Sequence, residues 1–195
     1  MQRIAKNALS IAAAALLVTT VLAGGPARAQ EKEKQKPEYF QAQAYGQGTQ
    51  MGRNFNVTVI IQEYSTAEDQ QILIKAFEAK GMQALTNVLY KMKTKGRLAI
   101  TGTLGYDVSY VRSVRTDEGR RIRLITNRPI NFAEAWEDGR STDYNLSALE
   151  LNISDVKGKS AGTLLPACQF KINKDKELEI EAFQNPWTLR DVMQR

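Results

Sequence analysis

Not one histidine occurs in these 195 residues, so the chain has no imidazole for a Ser-His-Asp triad, a Cys-His pair or a metal site. Proton transfer would fall to carboxylates, tyrosines, lysines or arginines. Such residues gather most densely in the segment 127–144, where Arg128, Glu134, Glu137, Asp138, Arg140, Asp143 and Tyr144 stand beside Phe132 and Trp136. A short helix there would put Phe132 and Trp136 on one face, and Glu134 and Asp138 on another. The candidate ligand-binding residues are therefore Arg112, Arg128, Glu134, Trp136 and Asp138: an apolar anchor, a carboxylate pair and two guanidiniums for an anion. Two readings of the segment stand. It is a lid over a pocket, or it is a strap that covers an open sheet and solvates its outer side. No catalytic residue, metal ligand or cofactor is assigned.

Alternation places Arg112 on one strand face with Tyr106, Val108, Tyr110 and Val114. A guanidinium there needs a carboxylate, because an unpaired buried charge is costly. It serves an anion in a pocket, or it is paired structurally at the sheet's rim. Arg115, Arg120, Arg121 and Arg123 crowd around the expected hairpin tip. They form a solvated face, or they meet an anionic envelope polymer or lipid head groups. Cys168 alternates with Phe170 and Ile172, which predicts a buried, slowly reacting thiol.

The elements that must position these groups follow from periodicity. Residues 39–44 read as a short strand, and Phe55, Val57, Val59 and Ile61 alternate with polar neighbours as a clear one. Ser65 and Thr66 ahead of Glu68 and Asp69 resemble a capping box, opening a helix that runs to about Lys80 and stops at Gly81. A second helix carries Met82, Leu85, Val88, Leu89 and Met92 on one stripe. Strands follow from Gly96. A three-residue loop at 117–119 would pair Thr116 with Arg120 and set Arg112 opposite Leu124. Leu149, Leu151 and Ile153 form the next strand, and 164–172 returns with Pro166 marking an edge or a bulge. Leu178, Ile180 and Ala182 make the last clear strand. The expected class is α+β: a curved antiparallel sheet of about 6–8 strands, with a half-barrel as one form and closure left open, and a helical hairpin inserted after the first main strand.

At the amino terminus, Arg3 and Lys6 precede an apolar stretch over 8–23, and Ala27-Arg28-Ala29 supplies a small-x-small cleavage pattern. This order predicts a signal peptide over 1–29. A disordered, charged lead-in over 30–38 and a single domain over 39–195 would follow. Arg3, Lys6 and Arg28 account for three of the net +6, leaving +3. That is no nucleic-acid footprint. No second apolar run of spanning length follows, so no transmembrane segment is expected after cleavage.

Three stretches, RRIRLITNRPINFAEAW at 120–136, GRSTDYNLSALELNISD at 139–155 and KGKSAGTLLPACQFKI at 157–172, carry a resemblance. The chain resembles a family of exported bacterial proteins without an assigned activity. Ser160 stands where that pattern has a further glycine, and Cys168 where it has alanine, which speaks against a family nucleophile at Cys168. The order of elements also resembles helix-grip folds, but those close with a long C-terminal helix for which 185–195 is too short. The expectation is an exported protein, periplasmic or secreted, that acts as a non-enzymatic binding or interaction module of the bacterial cell envelope. Its partner would be an apolar or anionic envelope ligand or a protein. The alternative is a carboxylate-dependent hydrolase or isomerase, with Glu134 or Asp138 as base beneath the 127–144 segment and Arg112 or Arg128 on an anion.

Overall fold

A computed structural model describes residues 35–130, 145–184 and 186–195. Its elements are β1 (Glu38–Gly46), a 3-10 turn at Gly48–Gln50, β2 (Asn54–Ile61), α1 (Ala67–Lys91), β3 (Gly96–Ile100) and β4 (Tyr106–Thr116). They continue with β5 (Gly119–Thr126), β6 (Leu146–Ser154), β7 (Ala161–Ile172), β8 (Leu178–Gln184) and β9 (Trp187–Gln194). Every pairing is antiparallel, in the order β6-β5-β4-β3-β2-β1-β9-β7-β8, and β6 also pairs with β7. The sheet therefore closes into an eight-stranded barrel, with β8 as an extra strand on β7. Closure corrects the half-barrel form: it leaves no edge to protect along most of the wall.

The closing strand is β9, which periodicity does not reveal. Its inward residues Trp187, Leu189 and Val192 are broken in phase by a bulge, where Asp191 takes a φ of 52°. The interruption hides the alternation. Opposite β7, strands β8 and β9 run in line: Ala167 pairs with Gln184, and Leu164 with Trp187. Glu38, assigned to the lead-in, opens β1 instead, paired with Ile61.

Two apolar clusters lie on the two faces of the wall. One takes alternate residues from all eight barrel strands, among them Phe40, Val59, Leu98, Val108, Leu124, Leu151, Leu164 and Leu189, and lines the interior. The other joins Tyr110, Ile125, Leu146, Leu165, Cys168, Phe170 and Leu178 to Leu73, Leu85 and Leu89 of α1. The helix thus packs outside, over β4–β7. In place of a hairpin of two separate helices there is one helical element, kinked at Lys80 and Gly81, which leave helical geometry where the first helix is expected to stop. Gly81 has a φ of 63°, which a side chain would resist. Its start matches expectation. Thr66 accepts from the Asp69 N–H at 3.2 Å, and Asp69 Oδ2 accepts from the Thr66 N–H at 2.9 Å.

The expected hairpin register is overturned. Thr116 pairs with Gly119 across a two-residue turn, so Val114 faces Arg121 and Arg112 faces Arg123. The expectation assumed that β4 shows a single apolar face. A bulge between Val108 and Tyr110 reverses its phase, so Tyr106, Val108 and Val111 point inward while Tyr110, Arg112 and Val114 point outward. Both faces are covered, and alternation cannot rank one register above the other. Gly119 is required for another reason: a Cβ there would stand 2.0 Å from the Ile153 carbonyl oxygen. Pro166 sits at a bulge between β6 and β7, one of the two places anticipated for it.

Candidate functional site

Of the sequence-predicted ligand residues, Glu134, Trp136 and Asp138 lie outside the described residues, as does Phe132. Arg112 and Arg128 are described, and they have separate partners. Arg128 follows β5, donates from Nη2 to the Gly105 carbonyl at 3.1 Å and stacks 5.1 Å over the Tyr106 ring. Arg112 stands on the outer face of β4, where Nη2 donates to Glu177 Oε1 at 3.2 Å. Arg128 lies five positions beyond Arg123, the cross-strand neighbour of Arg112, which is at most about 16 Å along the chain.

Around Arg112 the outer wall forms a groove of about 90 Å³ lined by Tyr110, Arg112, Val114, Thr116, Arg121, Arg123, Glu177 and Leu178. Local sequence explains much of it. Arg121 and Arg123 are two apart on β5 and so share a face, and the observed register sets that face beside Arg112. Two guanidiniums directly opposite repel each other. Each has its own carboxylate: Arg112 has Glu177, and Arg123 has Glu150, which accepts from Nε at 2.7 Å. Arg123 also donates to the Leu178 carbonyl. Arg121 reaches Asn152 Oδ1 at 3.4 Å. The buried Nε of Arg112 has no hydrogen-bond partner among the described residues.

Glu177 owes its place to the β7–β8 turn. Asn173 Oδ1 accepts from the N–H groups of Asp175 and Glu177 at 3.0 and 2.9 Å. The helix holds that turn from outside: Gln70 donates to the Lys176 carbonyl at 2.7 Å, and Lys176 Nζ meets Glu78 at 2.9 Å. Burial pushes the Tyr110 hydroxyl up to about 12, despite the nearby Arg112, so it remains a protonated donor at neutral pH.

A second polar cluster sits at one end of the barrel. Arg120 is expected with the arginines of the hairpin tip, yet it turns inward, stacks 5.8 Å from the Phe40 ring and pairs with Glu38. Tyr64 Oη donates to Glu38 Oε1 at 2.7 Å and Gln194 Nε2 to Oε2 at 3.0 Å. Burial alone would raise the Glu38 carboxyl, but the bonds from Arg120, Tyr64 and Gln194 outweigh it and hold it below its ordinary value. The carboxylate is fully engaged, which marks this cluster as a clasp joining β1, β5 and β9. Arg115 is separate again, 2.6 Å from Asp155 on the surface.

Among the described residues no group of three or more acidic or cysteine side chains could hold a metal ion, and no helix is long and apolar enough to cross a membrane. The fold and groove define a closed antiparallel barrel with an apolar interior, an external helix and an arginine-lined outer face. Comparison with known protein families, curated proteins and solved structures finds no match.

Proposed function

We propose that the chain is a non-enzymatic binding or interaction module of the bacterial cell envelope, exported as a periplasmic or secreted protein, and that it works through its outer surface. The observation that carries this reading is that the described residues bury apolar side chains in both layers, while the arginine-lined groove opens on the outer wall. Phe40, Val59, Leu124 and Leu189 occupy the barrel interior, and Leu73, Leu85 and Leu89 are fully buried between helix and wall. The polar groups of that groove offer recognition on the outside of the wall.

A carboxylate-dependent hydrolase would need Arg112 or Arg128 to hold a substrate anion over Glu134 or Asp138. Glu134 and Asp138 lie outside the described residues, and the described partners of Arg112 and Arg128 are Glu177 and the Gly105 carbonyl. Purification from the native envelope, with mass spectrometry of what stays bound, tests the proposal. The expected result is a polypeptide beginning at Gln30 that retains a ligand or a cross-linked partner. A cytoplasmic product that keeps residues 1–29 would overturn the export reading. Turnover of an envelope ester or glycoside would overturn the non-enzymatic one.

A further inference from the structure

We propose that the groove between Arg112 and Arg121 binds one phosphate group carried by a larger envelope molecule. This deepens the surface-binding reading and rests on it. Three guanidiniums, those of Arg112, Arg121 and Arg123, face the groove against two carboxylates, Glu177 and Glu150. Arg123 is consumed by Glu150 and the Leu178 carbonyl. Arg112 gives Nη2 to Glu177 while its side chain stays 40% exposed, and among the described residues Arg121 has only a long bond to Asn152. These are the donors left for a ligand.

Arg121 is the diagonal cross-strand neighbour of Arg112, about 7–8 Å away between backbones. Two guanidiniums at that spacing straddle a tetrahedral anion, which presents oxygens to both sides; a planar carboxylate is satisfied by one fork. The groove volume of about 90 Å³ admits a head group and not a whole ligand, so the rest of the molecule must lie outside, along the half-exposed Val114. Thr116 adds a hydroxyl at the rim.

Glu177 is the competitor. Its carboxylate occupies one arm of Arg112 and repels an incoming anion, which gives the site a variant that should strengthen it. The purified protein is titrated with inorganic phosphate while the arginine Nε–H resonances are followed by NMR. Saturable shifts at Arg112 and Arg121 are expected. Arg121→Gln, an exposed change, should weaken phosphate about tenfold with an unchanged melting temperature. Glu177→Gln keeps a hydrogen bond to Arg112, removes the negative charge and should tighten binding several-fold.

Vesicles of phosphatidylglycerol against phosphatidylcholine separate the sources of phosphate. Retention on the former alone, lost in Arg121→Gln, assigns a lipid head group. Phosphate binding without vesicle retention assigns a soluble phosphorylated ligand. Absent saturation, or equal affinity in both variants, overturns the site. A partner retained equally by wild type and Arg121→Gln would remove the phosphate site and leave the surface-binding reading standing.

Discussion

Cys168 shows how far a single residue can be argued from its neighbours. Alternation with Phe170 and Ile172 implied burial, and the thiol is fully buried beneath α1, donating to the Leu146 carbonyl at 3.3 Å. Cys168→Ala should cost about 1 kcal/mol, and native Cys168 should react with a thiol reagent far more slowly than in denaturant. Equal labelling rates would contradict this. Gly119 is the opposite case, since its role rests on a carbonyl from another strand. At a φ of 145° and 2.0 Å from the Ile153 oxygen, an alanine Cβ must push β5 and β6 apart. Gly119→Ala should lower stability by at least about 2 kcal/mol, as strain and lost ladder bonds add. Denaturant melts measure it.

At the level of the element, the entry to α1 couples a cap to a charge cluster. Lys95 Nζ lies 2.9 Å from both Glu63 and Asp69, with its own side chain only 8% exposed. The hydrogen bond from Lys95 holds the Glu63 carboxyl low. Burial would raise Asp69, yet Lys95 and the Thr66 N–H bring it below its ordinary value. Both carboxylates therefore contribute stability that is present above about pH 4 and lost as pH falls through their depressed native values. Burial would likewise lower the Lys95 value, but its two partners raise it; its contribution persists through neutral pH and is lost only as pH climbs past that raised value. Lys95→Met should cost about 2 kcal/mol at neutral pH, less than a fully buried pair because Glu63 is partly in water, and should flatten the acid limb of the stability curve. An unchanged acid limb would mean that the cluster plays no part. Thr66→Ala, which removes the cap, should cost about 1 kcal/mol.

For the whole molecule, stability depends on a closure that the last strand provides. Trp187 and Leu189 enter the interior, and Trp187 lies 4.6 Å from the Phe55 ring across the barrel's end. Trp187→Ala should cost about 3–5 kcal/mol, as for a buried aromatic. Ending the chain before Trp187 should do worse, exposing the edges of β1 and β7 together. Circular dichroism and size-exclusion chromatography would report loss of fold or association. A truncated chain that stays monomeric and folded would show that closure is dispensable.

Much of the chain is decided within a few residues: the alternation of β2 and β6, the Thr66–Asp69 cap, the helix stripe through Leu73, Leu85 and Leu89, and the absence of imidazole chemistry. Those properties rest on local geometry and composition, which any stretch of sequence displays. The breaks in phase do not show themselves that way. Bulges near Ser109, Pro166 and Asp191 let one strand serve two buried faces, and a two-faced strand looks irregular when scanned for a single period. That is why the β4–β5 register and the existence of β9 had to come from the tertiary structure. The groove has the same origin. Arg121 and Arg123 share a face by parity alone, but Arg112 joins them through register, and Glu177 reaches them through a turn pinned by α1 more than fifty residues away in sequence. Charge and parity are properties of the sequence, whereas which charges meet is set by strand register and by the docking of the β7–β8 turn on α1, because these bring the β4–β5 hairpin and Glu177 to one place.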